Sequence, residues 1–335
     1  MKPTFLRRLL SFLKRALLWT GIFILVLASS GMIYQTAAAV ADERNFPPPG
    51  HLIDVGGFKM HIHCVGQGSP TVILETLSGG TSSYWGWVQP EVAKETRVCV
   101  YDRAGRGWSE PDPETQGLAR TVRNLHTLLE NANIEGPYVL VGHSIGGIYV
   151  RQFAVDYPQE VTGMVLVDAA NPFQFDRYPE MLAENESYIQ MAKIFPPMAR
   201  LGIGHLYFGL GGELDFAGMK EPQKSEIKAV WSSPEYFESQ YAETVAARSI
   251  YPDAQKLGGL GDLPLVVLTQ GDETATESWK ALQQELAGLS TDSLHITVEG
   301  ATHASLAFDP QHARAVSDAV VQVVEVIRSG ERLNP

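Results

Sequence analysis

A serine lies between two glycines in the stretch VGHSIGG, where an apolar strand pattern gives way to a helical pattern. Ser144 follows the strand-like run PYVLVGH, and Gly142 and Gly146 stand two residues to either side. This G-x-S-x-G spacing predicts a very tight strand-to-helix turn, because small neighbours avoid a collision and the serine oxygen is left exposed. Amides at the helix N-terminus then favour developing negative charge. Ser144 is therefore the expected nucleophile.

A serine hydroxyl needs a base to take its proton, and that base needs a third group to orient it. His303, in EGATHASL, directly follows the last strand-like run and precedes the final helical pattern. A loop in that place reaches the carboxyl edge of a sheet, and the chain order serine, acid, histidine puts the base near the end of the chain. His303 is the expected base.

Two aspartates are candidates for the orienting acid. Asp272 follows the run LPLVVLTQ, and Asp168 follows the run TGMVLV, so both are expected at the carboxyl edge of the sheet. Asp272 is preferred, because one helix and one strand then separate it from His303, which is the usual spacing in this chain order. Asp168 is the alternative. The aspartate that does not serve as the acid is expected to hold loop backbone amides.

A tetrahedral oxyanion requires two preorganised donors. The backbone amide of Ile145, directly after the nucleophile, should supply one of them. The other should come from the loop ILETLSGGTSSYW, where Leu77 is the first choice by position and Ser78 the second. Gly79 and Gly80 give this loop conformational freedom.

The elements that must position these residues alternate along the chain. Strand-like runs separated by turn signals and helical patterns occur at LIDV, FKMHIHCV, PTVILE, TRVCVYD, PYVLVGH, TGMVLVDA, LPLVVLTQ and LHITVEG. The first two runs are joined only by Gly56 and Gly57, which predicts a hairpin, whereas most later runs are strongly apolar and separated by helices. We expect an α/β fold with an eight-stranded, mostly parallel sheet flanked by helices.

The interval between TGMVLVDA and LPLVVLTQ is far longer than one crossover helix requires. It is rich in aromatic and methionine residues. We expect a helical cap over residues 171–262, inserted into a core formed by residues 51–170 and 263–335. Most of the cap's large side chains should form its own core, with a minority facing a ligand cavity.

The N-terminal segment has the pattern of a membrane-directed sequence. An uncharged apolar run from Ala16 to Tyr34 follows a basic cluster made of Lys2, Arg7, Arg8, Lys14 and Arg15. Positive charge on that side predicts that residues 1–43 form a cytoplasmic basic tail and a transmembrane signal anchor, with the catalytic domain exported. The alternative is a signal peptide cleaved at Ala37-Ala38-Ala39 or Ala39-Val40-Ala41, which would yield a secreted protein. Residues 44–50 are polar and proline-rich, as expected of a linker.

Composition excludes some classes of function. The formal net charge of −12 argues against a nucleic-acid partner.

The two cysteines, Cys64 and Cys99, fall on strands expected to be neighbours, and two buried free thiols are favoured over a disulfide. His61 and His63 share one strand face without an accompanying carboxylate pattern, so neither a metal nor another cofactor is expected. The oligomeric state is left open.

Taken together, YDRAGRGWSEP, GHSIGG, PTVILE and GATHASLA resemble the α/β-hydrolase superfamily over residues 51–327. The turn containing Asp102 and Arg103 is similar to that of capped esterases and proline iminopeptidases. We expect these two residues to be structural and to pair with nearby loops. Glu75 and Thr76 stand where many members carry His-Gly, as in a subgroup of bacterial membrane-anchored hydrolases. Epoxide hydrolases and haloalkane dehalogenases have Asp at the position of Ser144, so the resemblance implies acyl transfer to water.

The expected substrate is a small to medium, partly apolar carboxylic ester. The same triad could instead cleave an amide or peptide N-terminus, as in proline iminopeptidases, or a carbon–carbon bond. An aminopeptidase would need acidic groups in the cap to bind the substrate ammonium, and the cap offers Glu184, Glu186, Glu235 and Glu238, although solvated helix faces are the simpler interpretation. A non-catalytic binding protein is disfavoured, because no triad member is missing.

Overall fold

One eight-stranded sheet runs through the part of the chain that the computed structural model describes, residues 3–213 and 218–333. Its strands are β1 (His51–Asp54), β2 (Lys59–Val65), β3 (Thr71–Glu75), β4 (Val98–Tyr101), β5 (Tyr138–His143), β6 (Val161–Val167), β7 (Leu265–Gly271) and β8 (Ser293–Glu299). The order across the sheet is β1-β2-β4-β3-β5-β6-β7-β8. β2 pairs antiparallel with β1 and β4, and the other pairs are parallel. The predicted fold class is confirmed.

Helices connect these strands. They are α1 (Pro3–Asn45), α2 (Val88–Val92), α3 (Leu118–Asn131), α4 (Gly146–Asp156), α5 (Gln174–Arg177), α6 (Pro179–Ala192), α7 (Phe195–Arg200), α8 (Ile203–Gly209), α9 (Gln223–Val230), α10 (Pro234–Ala254), α11 (Glu277–Ala287), α12 (Ser305–Phe308) and α13 (Pro310–Ser329). A short 3₁₀ helix covers Ser82–Trp85. Helices α5 to α10 lie between β6 and β7, where the helical insertion is expected.

The central strands are buried on both faces, because successive side chains point to opposite sides of a strand. Ile73 of β3 packs in a cluster with side chains of α3 and α4. Its neighbours Val72 and Leu74 pack on the other side of the sheet with side chains of α2 and α13. This two-sided burial explains the near-continuous apolar runs of the sequence.

Helix α1 differs from the other helices in its exposure. In the described part of the chain it is the one helix long and apolar enough to cross a membrane by length and composition. It continues through Asn45 into the predicted linker, because no proline occurs between Pro3 at its start and Pro47. Lys2 of the basic cluster, and residues 334 and 335 of the predicted core, lie outside the described residues.

The expectation for the two cysteines was wrong. β2 and β4 pair in a register that sets Cys64 directly opposite Cys99. The two residues form a disulfide, with their Cα atoms 4.0 Å apart. The sequence identified the strands but not their register, and register decides whether two strand residues can be bridged.

Candidate active site

Ser144 stands in the turn between β5 and α4 with a φ of 57°, a left-handed conformation that non-glycine residues seldom adopt. Its backbone amide donates to the Val167 carbonyl at 3.1 Å. A Cβ atom at Gly142 would lie 2.7 Å from the Gly146 carbonyl carbon, and one at Gly146 would lie 2.7 Å from the Thr76 carbonyl oxygen. Both glycines are therefore required sterically, and the turn holds the serine in a strained backbone conformation.

His303 lies in the loop after β8, and its Nδ1 is 2.5 Å from Oδ2 of Asp168. The imidazole is partly exposed, whereas the Asp168 side chain is fully buried. The His303 ring also lies against His143, the residue before Ser144, with ring centroids 4.7 Å apart. A carboxylate on Nδ1 fixes the tautomer of the imidazole, so that its Nε2 is the nitrogen that can accept a proton.

Three donors converge on the Asp168 carboxylate. Besides His303, the backbone amide of Gln270 donates to Oδ1 at 3.0 Å, and the Trp279 indole donates to the same oxygen at 2.8 Å. Asp168 itself has a φ of 42°. A buried carboxylate held by several donors is fixed in direction.

The structure does not bring the preferred acid, Asp272, to His303. The Asp272 carboxylate accepts from the Thr274 hydroxyl at 2.8 Å and from the Thr274 amide at 3.3 Å, within its own loop. Both aspartates follow strands that end at the same edge of the sheet, so chain spacing alone does not show which of them contacts His303. Asp168 follows β6, which is hydrogen-bonded to the strand that carries Ser144.

His143 is buried beside Ser144 and His303. Burial, and then the neighbouring His303, lower the pKa of His143 well below its usual value. His143 therefore stays neutral near pH 7 and adds no charge next to an imidazolium at His303.

The loop after β3 lies against the N-terminus of α4, as the close approach of Gly146 to the Thr76 carbonyl shows. The Arg103 guanidinium donates to the carbonyl oxygens of Thr76 and Leu77, each at 2.9 Å. Arg103 thus fixes the peptide groups around Leu77, while Ile145 follows Ser144 directly. The two predicted oxyanion donors belong to adjacent segments on the rim of the turn.

One face of α10 holds the same loop from the cap side. The Tyr236 hydroxyl donates to the Gly79 carbonyl at 3.1 Å, and the Gln240 side chain donates to the Ser78 hydroxyl at 3.2 Å. One helical turn further, Glu243 accepts from the Ser78 hydroxyl at 3.0 Å and from the Gly79 amide at 3.3 Å. The cap and the loop after β3 are therefore joined by hydrogen bonds.

Glu243 is also the centre of a buried ionic cluster. Its two carboxylate oxygens lie 2.7 Å from Arg103 and 2.7 Å from Arg106. Burial opposes ionisation, but the two guanidinium groups outweigh it and lower the pKa of the Glu243 carboxyl to about 2. Glu75 contacts Arg103 and the Tyr101 hydroxyl, and burial raises the pKa of its carboxyl. Sequence reasoning missed Glu243, because no motif surrounds it.

Other residues singled out in the sequence have structural partners. Asp102 accepts from the Ser82 amide at 2.6 Å and lies 2.8 Å from Nδ1 of His61, so it ties loops together. Two of the cap glutamates are engaged at the surface, Glu186 by Arg248 and Glu238 by Arg200. Glu184 and Glu235 are exposed.

The chain resembles known proteins in both sequence and fold. A model of the α/β hydrolase fold matches residues 70–310. The Schizosaccharomyces pombe protein C23C11.06c, whose name assigns no activity, is 26% identical over 268 residues, which cover 76% of this chain and 46% of that protein. The chain therefore spans less than half the length of this relative.

Two solved structures show how widely the architecture is used. An esterase from Thermogutta terrifontis superposes with a TM-score of 0.58 at 21% identity, covering 80% of this chain and 94% of that one. Epoxide hydrolase CorEH superposes with a TM-score of 0.61 at 18% identity, covering 83% and 99%. Likeness at this level establishes the fold, and the residues of the site must decide the chemistry.

Proposed function

The chain belongs to the α/β-hydrolase fold family, and on that premise we propose that it is a serine hydrolase that cleaves a carboxylic ester of a small to medium, partly apolar alcohol or acid. The observation that carries the proposal is the hydrogen bond between His303 and the buried Asp168, at the same sheet edge as the strained Ser144. A serine at this turn supports acyl transfer, whereas relatives that open epoxides or displace halides use aspartate there.

In the proposed reaction, the Ser144 hydroxyl oxygen attacks the ester carbonyl while Nε2 of His303 takes the hydroxyl proton. Asp168 holds Nδ1–H and stabilises the imidazolium. The backbone amides of Leu77 and Ile145 bind the oxyanion of the tetrahedral intermediate. His303 then gives its proton to the leaving alcohol, which leaves an acyl group on Ser144. A water molecule, deprotonated by His303, attacks this acyl group. The bond to the Ser144 oxygen then breaks, His303 returns the proton to that oxygen, and the acid is released.

A fluorophosphonate probe tests the nucleophile, because it forms a covalent bond only with an activated serine. We expect the full-length protein in detergent to be labelled, and Ser144→Ala to lose labelling completely. Ser187→Ala is the matched control, because that hydroxyl bonds only to the Ala183 carbonyl of its own helix among the described contacts. Labelling of Ser144→Ala at the wild-type rate would refute the proposal.

A substrate panel then separates ester from amide cleavage. We expect turnover of p-nitrophenyl acetate and butyrate and little turnover of proline p-nitroanilide, because Glu186 and Glu238 are already paired with arginines. Faster cleavage of the anilide would assign the protein to the aminopeptidase alternative, and cleavage of neither class would direct attention to carbon–carbon bonds.

We further propose that α1 is a retained membrane anchor, with the catalytic domain on the extracytoplasmic side. The contacts between the end of α1 and the cap support retention, since Gln35 and Asp42 both bond to His205. The Cys64–Cys99 disulfide supports an oxidising compartment. Carbonate extraction should leave the protein in the membrane fraction, and its intact mass should include residues 1–43. Recovery of a soluble, shortened protein would instead establish the cleaved signal peptide.

A further inference from the structure

Exposed apolar side chains are concentrated on one part of the cap. Beyond α1, within residues 46–213 and 218–333, eight of the twelve exposed large hydrophobic side chains lie between positions 191 and 210. We call these eight residues the apolar cap face: Met191, Ile194, Met198, Leu201, Ile203, Leu206, Tyr207 and Leu210. Leu206 is 51% exposed and Leu210 is 80% exposed. Patches of this kind on a soluble domain mark a surface that meets a partner or a membrane.

The charge pattern of this segment differs from that of the whole chain. The chain has a formal net charge of −12, yet residues 187–212 contain no aspartate or glutamate. The charged side chains of the segment are those of Lys193 and Arg200, and Arg200 pairs with Glu238 of α10. A segment that combines apolar and aromatic residues with lysine and arginine, and has no carboxylate of its own, fits the interface of a bilayer that contains anionic lipids.

Helix α1 packs directly beside this surface. A Cβ atom at Gly31 would lie 2.5 Å from the Leu201 carbonyl oxygen, and one at Gly202 would lie 2.8 Å from the Tyr34 ring. The two glycines thus allow α1 to touch the junction between α7 and α8. His205 strengthens the contact, because its two ring nitrogens lie 2.8 Å from Gln35 and 2.7 Å from Asp42.

The position of this contact along α1 determines the level of the cap relative to the hydrocarbon layer of a bilayer. At 1.5 Å per residue, the uncharged run from Ala16 to Tyr34 extends about 28 Å, close to the hydrocarbon thickness of about 30 Å. The whole run is therefore needed to span the bilayer. Gly31 and Tyr34, which touch the cap, belong to the last turn of that run. The junction of α7 and α8 then lies level with the outer end of the hydrocarbon layer.

We propose that the apolar cap face is immersed in the leaflet next to the catalytic domain, so that the enzyme contacts the bilayer through its cap as well as through α1. The inference rests on the proposal that α1 spans the membrane. Leu206 and Leu210 contact acyl chains, Tyr207 lies at headgroup level, and Lys193 faces anionic headgroups. Phe195 of α7 packs on Phe237 of α10 with ring centroids 5.4 Å apart. The residue before Phe237, Tyr236, donates to the Gly79 carbonyl of the loop after β3, so this part of the cap is linked to the site.

Fluorescent labels at single introduced cysteines test the depth of this surface. The full-length protein, with its native cysteines held as the disulfide, would carry NBD at Leu206→Cys or Leu210→Cys in vesicles of phosphatidylcholine and phosphatidylglycerol. Val155→Cys is the matched control, because Val155 is 46% exposed on α4 of the core. Phe23→Cys, 62% exposed within the apolar run of α1, reports on the anchor. We expect spin-labelled lipids to quench the labels at 206, 210 and 23, and aqueous iodide to quench only the label at 155.

The outcomes separate the two proposals. Lipid quenching at position 23 without quenching at 206 and 210 would overturn the immersion of the cap and leave the anchor standing. Iodide quenching at all four positions would overturn both proposals. A blue-shifted label at 206 or 210 that lipid spin labels do not quench would show that a second copy of the chain covers this surface, and would also overturn immersion.

Discussion

The loops that follow β6 and β7 each bring an aspartate to the same edge of the sheet, and their environments differ. The Asp168 side chain is fully buried and accepts hydrogen bonds from Gln270, Trp279 and His303. The Asp272 side chain is partly exposed and accepts from Thr274 of its own turn. A carboxylate can orient a base when its surroundings hold it in place and exclude water, and a position after a strand does not guarantee this.

The same contrast recurs on α10. Glu243 is buried between Arg103 and Arg106 and accepts hydrogen bonds from the loop after β3. Glu238, on the same helix, forms an ion pair with Arg200 at the surface. Buried carboxylates should therefore control catalysis and stability, and exposed ones should have small effects. Four predictions test this comparison.

The largest effect should come from Asp168→Asn. The amide cannot stabilise the imidazolium and favours the wrong tautomer of His303, so kcat should fall about 10⁴-fold. Asp272→Asn should change kcat less than about twofold, as surface substitutions usually do. Steady-state hydrolysis of p-nitrophenyl acetate, after circular dichroism has shown that both variants fold, measures this difference. Equal losses in the two variants, or a larger loss in Asp272→Asn, would break the comparison.

Glu243→Gln should have the largest effect on stability. It leaves Arg103 and Arg106 buried without their carboxylate, which should lower the free energy of unfolding by about 3–5 kcal/mol. Glu238→Gln, which removes an exposed pair, should cost less than about 1 kcal/mol. Urea denaturation of the two variants, carried out side by side in detergent, measures both values. Similar midpoints would show that burial of this cluster does not contribute to stability.

The pH dependence of stability should reveal the same carboxylate. The pKa of Glu243 is lowered to about 2 from a usual 4.5, so its charged form favours the folded state. This contribution is fully present above about pH 5 and is lost as the pH falls toward 2, with a size on the order of 3 kcal/mol. The raised pKa of Glu75 acts in the opposite direction. The difference between wild type and Glu243→Gln, measured by denaturation from pH 3 to 7, isolates Glu243 and should shrink on acidification. A constant difference would contradict the assignment.

The smallest effect should come from Trp279→Phe. It removes one hydrogen bond to Asp168 and keeps an aromatic ring, so kcat should fall up to about tenfold with little change in KM. Trp87→Phe is the control, because that indole also donates to a single oxygen at 2.8 Å, but its acceptor is the Gly218 carbonyl and not the Asp168 carboxylate. Unchanged kcat in Trp279→Phe would show that the other donors suffice to hold Asp168.

Features that depend on residues near each other in the chain were accessible from the sequence. The alternation of strands and helices, the helical insertion after β6 and the tight turn at Ser144 all follow from local apolar patterns and from the space that glycine leaves. The position of His303 after the last strand followed in the same way. Its role, and those of Leu77 and Ile145, remain predictions.

Tertiary structure decided the features that depend on distance across the fold. The choice of Asp168 required the path of two loops and the position of Trp279 on a separate helix. The Cys64–Cys99 bond required the register of β2 against β4. Glu243 and the contact of α1 with the cap join residues far apart in the chain, where no spacing rule applies. The sequence therefore determined the turn at Ser144 and the fold, while the partners of each polar group depended on which surfaces the folded chain brings together.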